Sequence, residues 1–237
     1  MTGASACPQC GAVGWRSVQI GARRTAEEFG RAFAGVPVVL SSAEASHGVI
    51  AQVGSEPAVV VATPRAEPTA PGGYAAAALL DGWLTSAVGG LEASVLALGR
   101  WLAAACLVRP AAAGGVVALV GEPALRPAQA LVRWDPQGLA ARELAERQEL
   151  GLPPSVILVA ITGAGGLAEQ FVATIDITKA SFTILGPMPV DSSNQRCLLK
   201  TSLDQGRKLV QAVRAARARW YMASNPGIVR IEVDPEL

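Results

Sequence analysis

The sequence predicts an α/β chain, a layer of short parallel strands with helices, followed by a small α+β domain. Three observations carry this reading. The 237 residues are 51% hydrophobic and 16% charged, the balance of a packed globular protein rather than a disordered or fibrous one. Four short, continuous apolar runs (Val36–Leu40, Val59–Thr63, Ala76–Asp81 and Val116–Val120) are spaced by helix-like and loop-like segments. Strands of that kind belong to a parallel sheet covered on both faces. After Gly151-Leu152-Pro153-Pro154 the pattern changes to a denser mixture of strands and helices, so a domain boundary is placed there.

Taken in order, residues 1–11 form a turn-rich knuckle around Cys7-Pro8-Gln9-Cys10-Gly11, with a short strand near Trp15–Ile20. Thr25 stands three residues before Glu28 and ahead of Phe29 and Phe33, a capping pattern for a helix over Thr25–Phe33. Arg65–Tyr74 holds two prolines and a Gly-Gly pair and reads as loop; Leu91–Ala105 reads as helix. Ala140–Glu149 is helical, with Glu143 and Arg147 one turn apart, and Gly151 and the prolines stop it. The remainder reads as strand Val156–Thr162, short helix Leu167–Thr174, strand Phe182–Leu185, proline-rich turn, strand Arg196–Thr201, long helix Asp204–Met222 and strand Val229–Val233.

The formal charge of +1 hides an uneven distribution. From Asn194 to Arg230 the basic residues are Arg196, Lys200, Arg207, Lys208, Arg214, Arg217, Arg219 and Arg230, against the single acid Asp204. On the long helix, Leu209, Val213, Ala216 and Trp220 form one apolar stripe, while Arg207, Lys208, Arg214, Arg217 and Arg219 occupy the other half of the circumference. Crowded cations repel one another, so this end is suited to phosphate or to an acidic peptide. A solvated helix face is the plainer alternative.

Other motifs exclude more than they assign. Cys7 and Cys10 have the shape of half a zinc site, but Cys106 and Cys197 stand alone and His47 is the only histidine, so a complete four-ligand site is not expected. Cys106, in an apolar helix, is expected to be a packed thiol. Gly163-Ala164-Gly165-Gly166-Leu167-Ala168 satisfies G-x-G-x-x-A, yet no acid closes the next strand, and a tight glycine turn is favoured. Lys179, Lys200 and Lys208, the only lysines, are in no G-x-x-x-x-G-K-[ST] setting, and no G-x-S-x-G occurs. The start lacks a basic lead and an apolar run, and the stretch Ala75–Val108 is cut by Asp81, Glu92 and Arg100, so neither a secretory signal nor a membrane span is expected and the cytoplasm is the default compartment.

Several segments, in order, resemble the primosomal replication-restart (PriA) family. Cys7-Pro8-Gln9-Cys10-Gly11 and Val18–Glu28 are similar to its last zinc pair running into the second helicase lobe. Glu143–Pro154 resembles its E-L-x-x-R-x-x-L-G-x-P-P, Leu185–Pro189 its L-G-P-x-P, and Arg230–Pro235 its closing V-D-P. The departures are as informative. Ala62–Pro68 stands where the family has G-T-Q-M-x-x-K-G, and Leu96–Ala104 replaces its arginine-finger helix, leaving Arg100 as a remnant. The Walker motifs and earlier cysteine pairs of full-length members have no counterpart in these residues, which resembles the degenerate actinobacterial branch.

The resemblance implies a partial zinc knuckle at 1–11, a degenerate RecA-like second helicase lobe at 12–150, and a PriA-type α+β domain at 153–237. It implies DNA binding, forked or single-stranded, without helicase activity of its own, and contact with the acidic tail of single-strand-binding protein. Arg196, Lys200, Arg207, Lys208, Arg214, Arg217 and Arg219 are the candidate contacts. Zinc belongs to the full-length family and is not expected to be held stably by Cys7 and Cys10 alone, and ATP is not expected as a ligand. An ATP-driven helicase of which this is one half, or a truncated remnant, are the alternatives.

Overall fold

The computed structural model describes residues 21–80, 82, 90–123, 125–222 and 227–235. Two units divide the chain, residues 1–134 and 135–237. The Cys7–Cys10 knuckle and the strand expected near Trp15–Ile20 lie outside the described residues.

In the first unit, helix α1 spans Ala22–Ala32, beginning earlier than the Thr25 pattern predicts. Gly21 is its N-cap and no side chain caps it. Thr25 is already inside the helix, where its hydroxyl donates back to the Gly21 carbonyl at 3.5 Å. Strands β1 (Val38–Ser41) and β2 (Val59–Ala62) pair in parallel, as do β3 (Ala76–Leu79) and β4 (Val116–Leu119). The expected strands are therefore present and parallel, but among the described residues they form two separate two-stranded ladders, not one sheet. Ser41, fully buried, donates from its hydroxyl to the Ala66 carbonyl at 2.6 Å and accepts the Ile50 N–H at 3.0 Å. The polar groups at the end of β1 are thus satisfied by loop backbone. Helix α2 (Ala93–Ala105) buries Ala97, Leu98 and Trp101, and packs on α3 (Arg126–Arg133), which buries Ala128, Ala130 and Leu131. Cys106 is exposed at the C-cap of α2, contrary to the packed thiol expected, because the helix ends one residue before it.

The second unit opens with α4 (Pro136–Leu150), which starts ahead of the predicted Ala140 because Asp135 caps it, its carboxylate accepting the Gly138 N–H at 2.8 Å. Pro136 takes the first turn, where no N–H is needed, and Gly151 closes the helix at φ 60°. Arg147, only 6% exposed, lies 3.6 Å from Glu143 and donates to the Pro153 carbonyl at 3.4 Å, tying the helix to the turn that follows.

Four antiparallel strands then make one sheet in the order β6-β7-β5-β8: β5 (Val156–Ala164), β6 (Thr183–Pro189), β7 (Asn194–Ser202) and β8 (Val229–Val233). Strand β6 runs through the segment expected to be a proline-rich turn, accommodating it by an irregularity between Leu185 and Met188 at Gly186, where φ is 105°. Helices α5 (Leu167–Ala173) and α6 (Gly206–Met222) share a core with β5 and β7: Phe171, Val159, Ile161, Cys197, Leu199, Leu209, Val213, Ala216 and Trp220 are all buried in it. The Gly163–Ala168 segment is the tight turn favoured from sequence. Gly165 and Gly166 have positive φ, and a Cβ on Gly163 would sit 3.1 Å from the Leu167 Cβ.

Two outcomes are expected. Leu209→Ala, at a fully buried position, costs about 2–5 kcal/mol in urea unfolding of the chain. The second concerns the β6–β7 turn, where the Asp191 carboxylate accepts from the Asn194 side chain and from the backbone N–H groups of Ser193 and Asn194, each at 2.8 Å. These bonds, the Asn194 side chain first, hold its carboxyl below the usual range. A depressed folded-state pKa gives stability that is present above the unfolded value, about 3.9, and lost as pH falls through the folded one. Melting temperature followed from pH 6 to 2 should fall less steeply below about pH 4 in Asp191→Asn than in the wild-type chain.

Candidate nucleic-acid interface

The cationic residues singled out from sequence lie on two different faces of the second unit. Along β7, side chains alternate. Cys197 and Leu199 enter the core beneath α6, which places Arg196, Leu198 and Lys200 on the opposite face of the sheet. Arg207, Lys208, Arg214, Arg217 and Arg219 project from α6 and are all exposed. No single surface gathers all of the candidates.

The two on β7 have partners within the fold. Thr162 pairs with Arg196 on one side and Arg230 on the other, so the three form one row across β7, β5 and β8. The Arg196 Nε donates to the Thr162 hydroxyl at 3.3 Å, and its guanidinium stands 3.8 Å from Glu232. Glu232 also binds Arg230 at 2.7 Å. With Val233, Asp234 and Pro235 these side chains border an open polar hollow of about 550 Å³, in which Glu232 and Asp234 offset the two arginines. Lys200 brings its ammonium beside Gly151, within 2.8 Å of where a Cβ would stand, at the carbonyl-rich end of α4. A cation at that end of a helix is favourably placed by the macrodipole.

On α6 the residues divide again. Taking Leu209 as the centre of the buried stripe and about 100° per residue, Lys208 and Arg219 fall on one flank, and Arg207, Arg214 and Arg217 on the other. Lys208 lies close enough to Asp204 to help depress its carboxyl, which the Ser202 and Gln205 side chains lower more strongly. Arg219 donates to the Thr174 carbonyl at 3.0 Å, closing the C-terminal end of α5. Among the described residues, no salt bridge joins Arg207, Arg214 or Arg217 to a carboxylate. Their flank carries positive charge that the fold leaves uncompensated.

One residue on this flank was not among the sequence candidates. Tyr221 follows Arg217 by four residues, is 49% exposed, and its ring centroid lies 5.8 Å from the Arg217 guanidinium. The spacing Arg214-x-x-Arg217-x-x-x-Tyr221 was visible in the sequence as a helical row. Counting charge alone passes over it.

Cys7 and Cys10 lie outside the described residues, Cys197 is buried in the core, and Cys106 is exposed. Among the described residues no three His, Cys, Asp or Glu side chains converge as a metal would require. No described helix is long and apolar enough to cross a membrane.

Residues 148–236 match the family described as the primosomal protein N C-terminal domain, a span containing the whole four-stranded sheet, α5 and α6. A probable replication restart protein PriA of Mycobacterium leprae is 40% identical over 241 residues, covering 97% of this chain and 36% of the relative. Its counterparts in Mycobacterium tuberculosis H37Rv and Mycobacterium bovis are each 40% identical over 247 residues, covering 97% of this chain and 37% of theirs. The chain thus spans little more than a third of the length of the curated relatives it matches.

Proposed function

We propose, for a chain that belongs to the PriA replication-restart family and carries a C-terminal portion of it, that it binds DNA through the outward flank of α6. The observation that carries this reading is the uncompensated row Arg207, Arg214 and Arg217 on a helix whose opposite face is locked into the core. Flexible guanidinium groups on a rigid rod make a phosphate-contacting surface that reads no base sequence. Arg196, Lys200, Lys208 and Arg219 contribute less, because internal partners already engage them.

The biological setting proposed is replication restart, with forked or single-stranded DNA as the nucleic acid and the acidic tail of single-strand-binding protein as a further partner for the same cations. The first unit is proposed as a RecA-like scaffold, supported by its parallel strand pairs and apolar helices. Nucleotide hydrolysis forms no part of the proposal: Ala62–Pro68 and Leu96–Ala104 depart from the family's G-T-Q-M-x-x-K-G and arginine-finger patterns, and Arg100 is the one arginine in the second segment.

The test is salt dependence. Duplex affinity should fall on a log–log plot with a slope of roughly −0.9 per phosphate neutralised. Combined replacement of Arg207, Arg214 and Arg217 by Ala should flatten that slope by about two to three units. Replacing Arg196 and Arg219 together should change it by about one unit or less. Binding that is absent at low salt, or indifferent to salt, contradicts the proposal.

A further inference from the structure

Two adjacent aromatic residues lie in the last turn of α6, and the fold uses them differently. Trp220 is 4% exposed, meets Phe171 edge-on with centroids 5.5 Å apart, and donates its indole N–H to the Gly227 carbonyl at 3.0 Å. Its packing and its polar atom are both accounted for. Tyr221, the next residue, is 49% exposed and enters none of these contacts. The chain's other tyrosine, Tyr74, is tied to the Pro68 carbonyl at 2.7 Å. An aromatic ring left in water at the end of a cationic row has apolar surface to cover and a π-face to offer.

Its position along the helix gives that face a direction. Arg207, Arg214 and Tyr221 are each seven residues apart, so they follow one another along one side of α6 at intervals of about 10 Å, drifting by only about 20° each time. Arg217 stands over the ring, its guanidinium 5.8 Å from the centroid, so one face is already engaged by a cation. A nucleic-acid backbone laid along the helix would meet Arg207 and Arg214 through its phosphates and deliver a base to the face of the Tyr221 ring opposite Arg217.

We infer that Tyr221 is a stacking platform for an unpaired base, and that the Arg207–Arg214–Arg217 flank therefore takes single-stranded DNA in preference to duplex. This rests on the reading of that flank as the DNA contact. Duplex bases are already stacked on their neighbours, and presenting one to an external ring costs a few kcal/mol of unstacking. A single strand offers its base faces without that cost. Stacking on an aromatic side chain tolerates any base, so the platform selects strandedness and not sequence.

The experiment is fluorescence anisotropy of the full chain with a labelled oligo(dT) and with a labelled blunt duplex, at one fixed salt concentration. Wild type, Tyr221→Ala, Tyr221→Phe and Arg217→Ala are compared after circular dichroism shows each to be folded. Tyr221→Ala should weaken oligo(dT) binding by at least about fivefold while changing duplex binding by less than about twofold. Tyr221→Phe should keep nearly all of the wild-type affinity, since the ring remains. Arg217→Ala should weaken both, because it removes a charge. If wild type binds DNA and Tyr221→Ala loses the same factor on both, or nothing on oligo(dT), the stacking inference is overturned and the DNA-contact reading stands. Wild type binding neither probe overturns that reading and the inference with it.

Discussion

The packing of the apolar stripe of α6 onto β5 and β7 is the constraint on which the second unit depends. Leu209, Ala212, Val213, Ala216 and Trp220 are buried, and Trp220 meets Phe171 of α5 across the same core. That contact fixes the rotation of the helix about its own axis. A helix turned by one residue would bury an arginine and expose Leu209, at the cost of an unpaired charge in an apolar interior. The outward direction of every cation on α6 therefore follows from five buried side chains, not from any interaction of the cations themselves.

What those cations can do follows from how the rest of the unit treats them. Glu232 answers Arg196 and Arg230, the end of α4 receives Lys200, Asp204 stands near Lys208, and the Thr174 carbonyl accepts from Arg219. Arg207, Arg214 and Arg217 remain on one flank with an exposed tyrosine. Arg207 and Arg214 stand about 10 Å apart along the helix, about one Debye length at ordinary salt, while Arg214 and Arg217, three residues apart, are neighbours whose repulsion is softened only by their exposure to water. A polyanion that approaches along the flank meets all three. Folding thus draws on one side of the helix and the proposed binding on the other.

Much of the second unit was legible in the sequence, and the reasons are local. The four strands showed as short apolar runs, although β5 is buried at four consecutive positions and β6 is exposed throughout. The long helix α6 announced itself through periodicity, because one of its faces is buried and the other wet. The stripe from Leu209 to Trp220 was read correctly for the same reason. The extent of β6 was not, since Gly186 and Pro187 signal a turn and only pairing with β7 shows that the strand continues past them. The start of α1 was placed late because Thr25 looks like a cap, and the competing cap, Gly21, carries no side-chain signal. In the first unit, apolar runs predicted parallel strands, but periodicity does not say which strands become neighbours. The separation of β1–β2 from β3–β4 is a matter of tertiary pairing. At the candidate site, charge could be counted from sequence, whereas its compensation could not. Glu232 is far from Arg196 in the chain and near it only because β7 and β8 both flank β5.

Arginine-directed footprinting tests the central claim most directly. The chain is treated with phenylglyoxal with and without a saturating single-stranded oligonucleotide, and the modification of each arginine is read by mass spectrometry. The expected result is protection of Arg207, Arg214 and Arg217, with Arg196, Arg219 and Arg230 modified to the same extent in both conditions. Protection centred on Arg196 and Arg230, with the α6 flank unchanged, would contradict it and move the nucleic acid to the opposite face of the sheet.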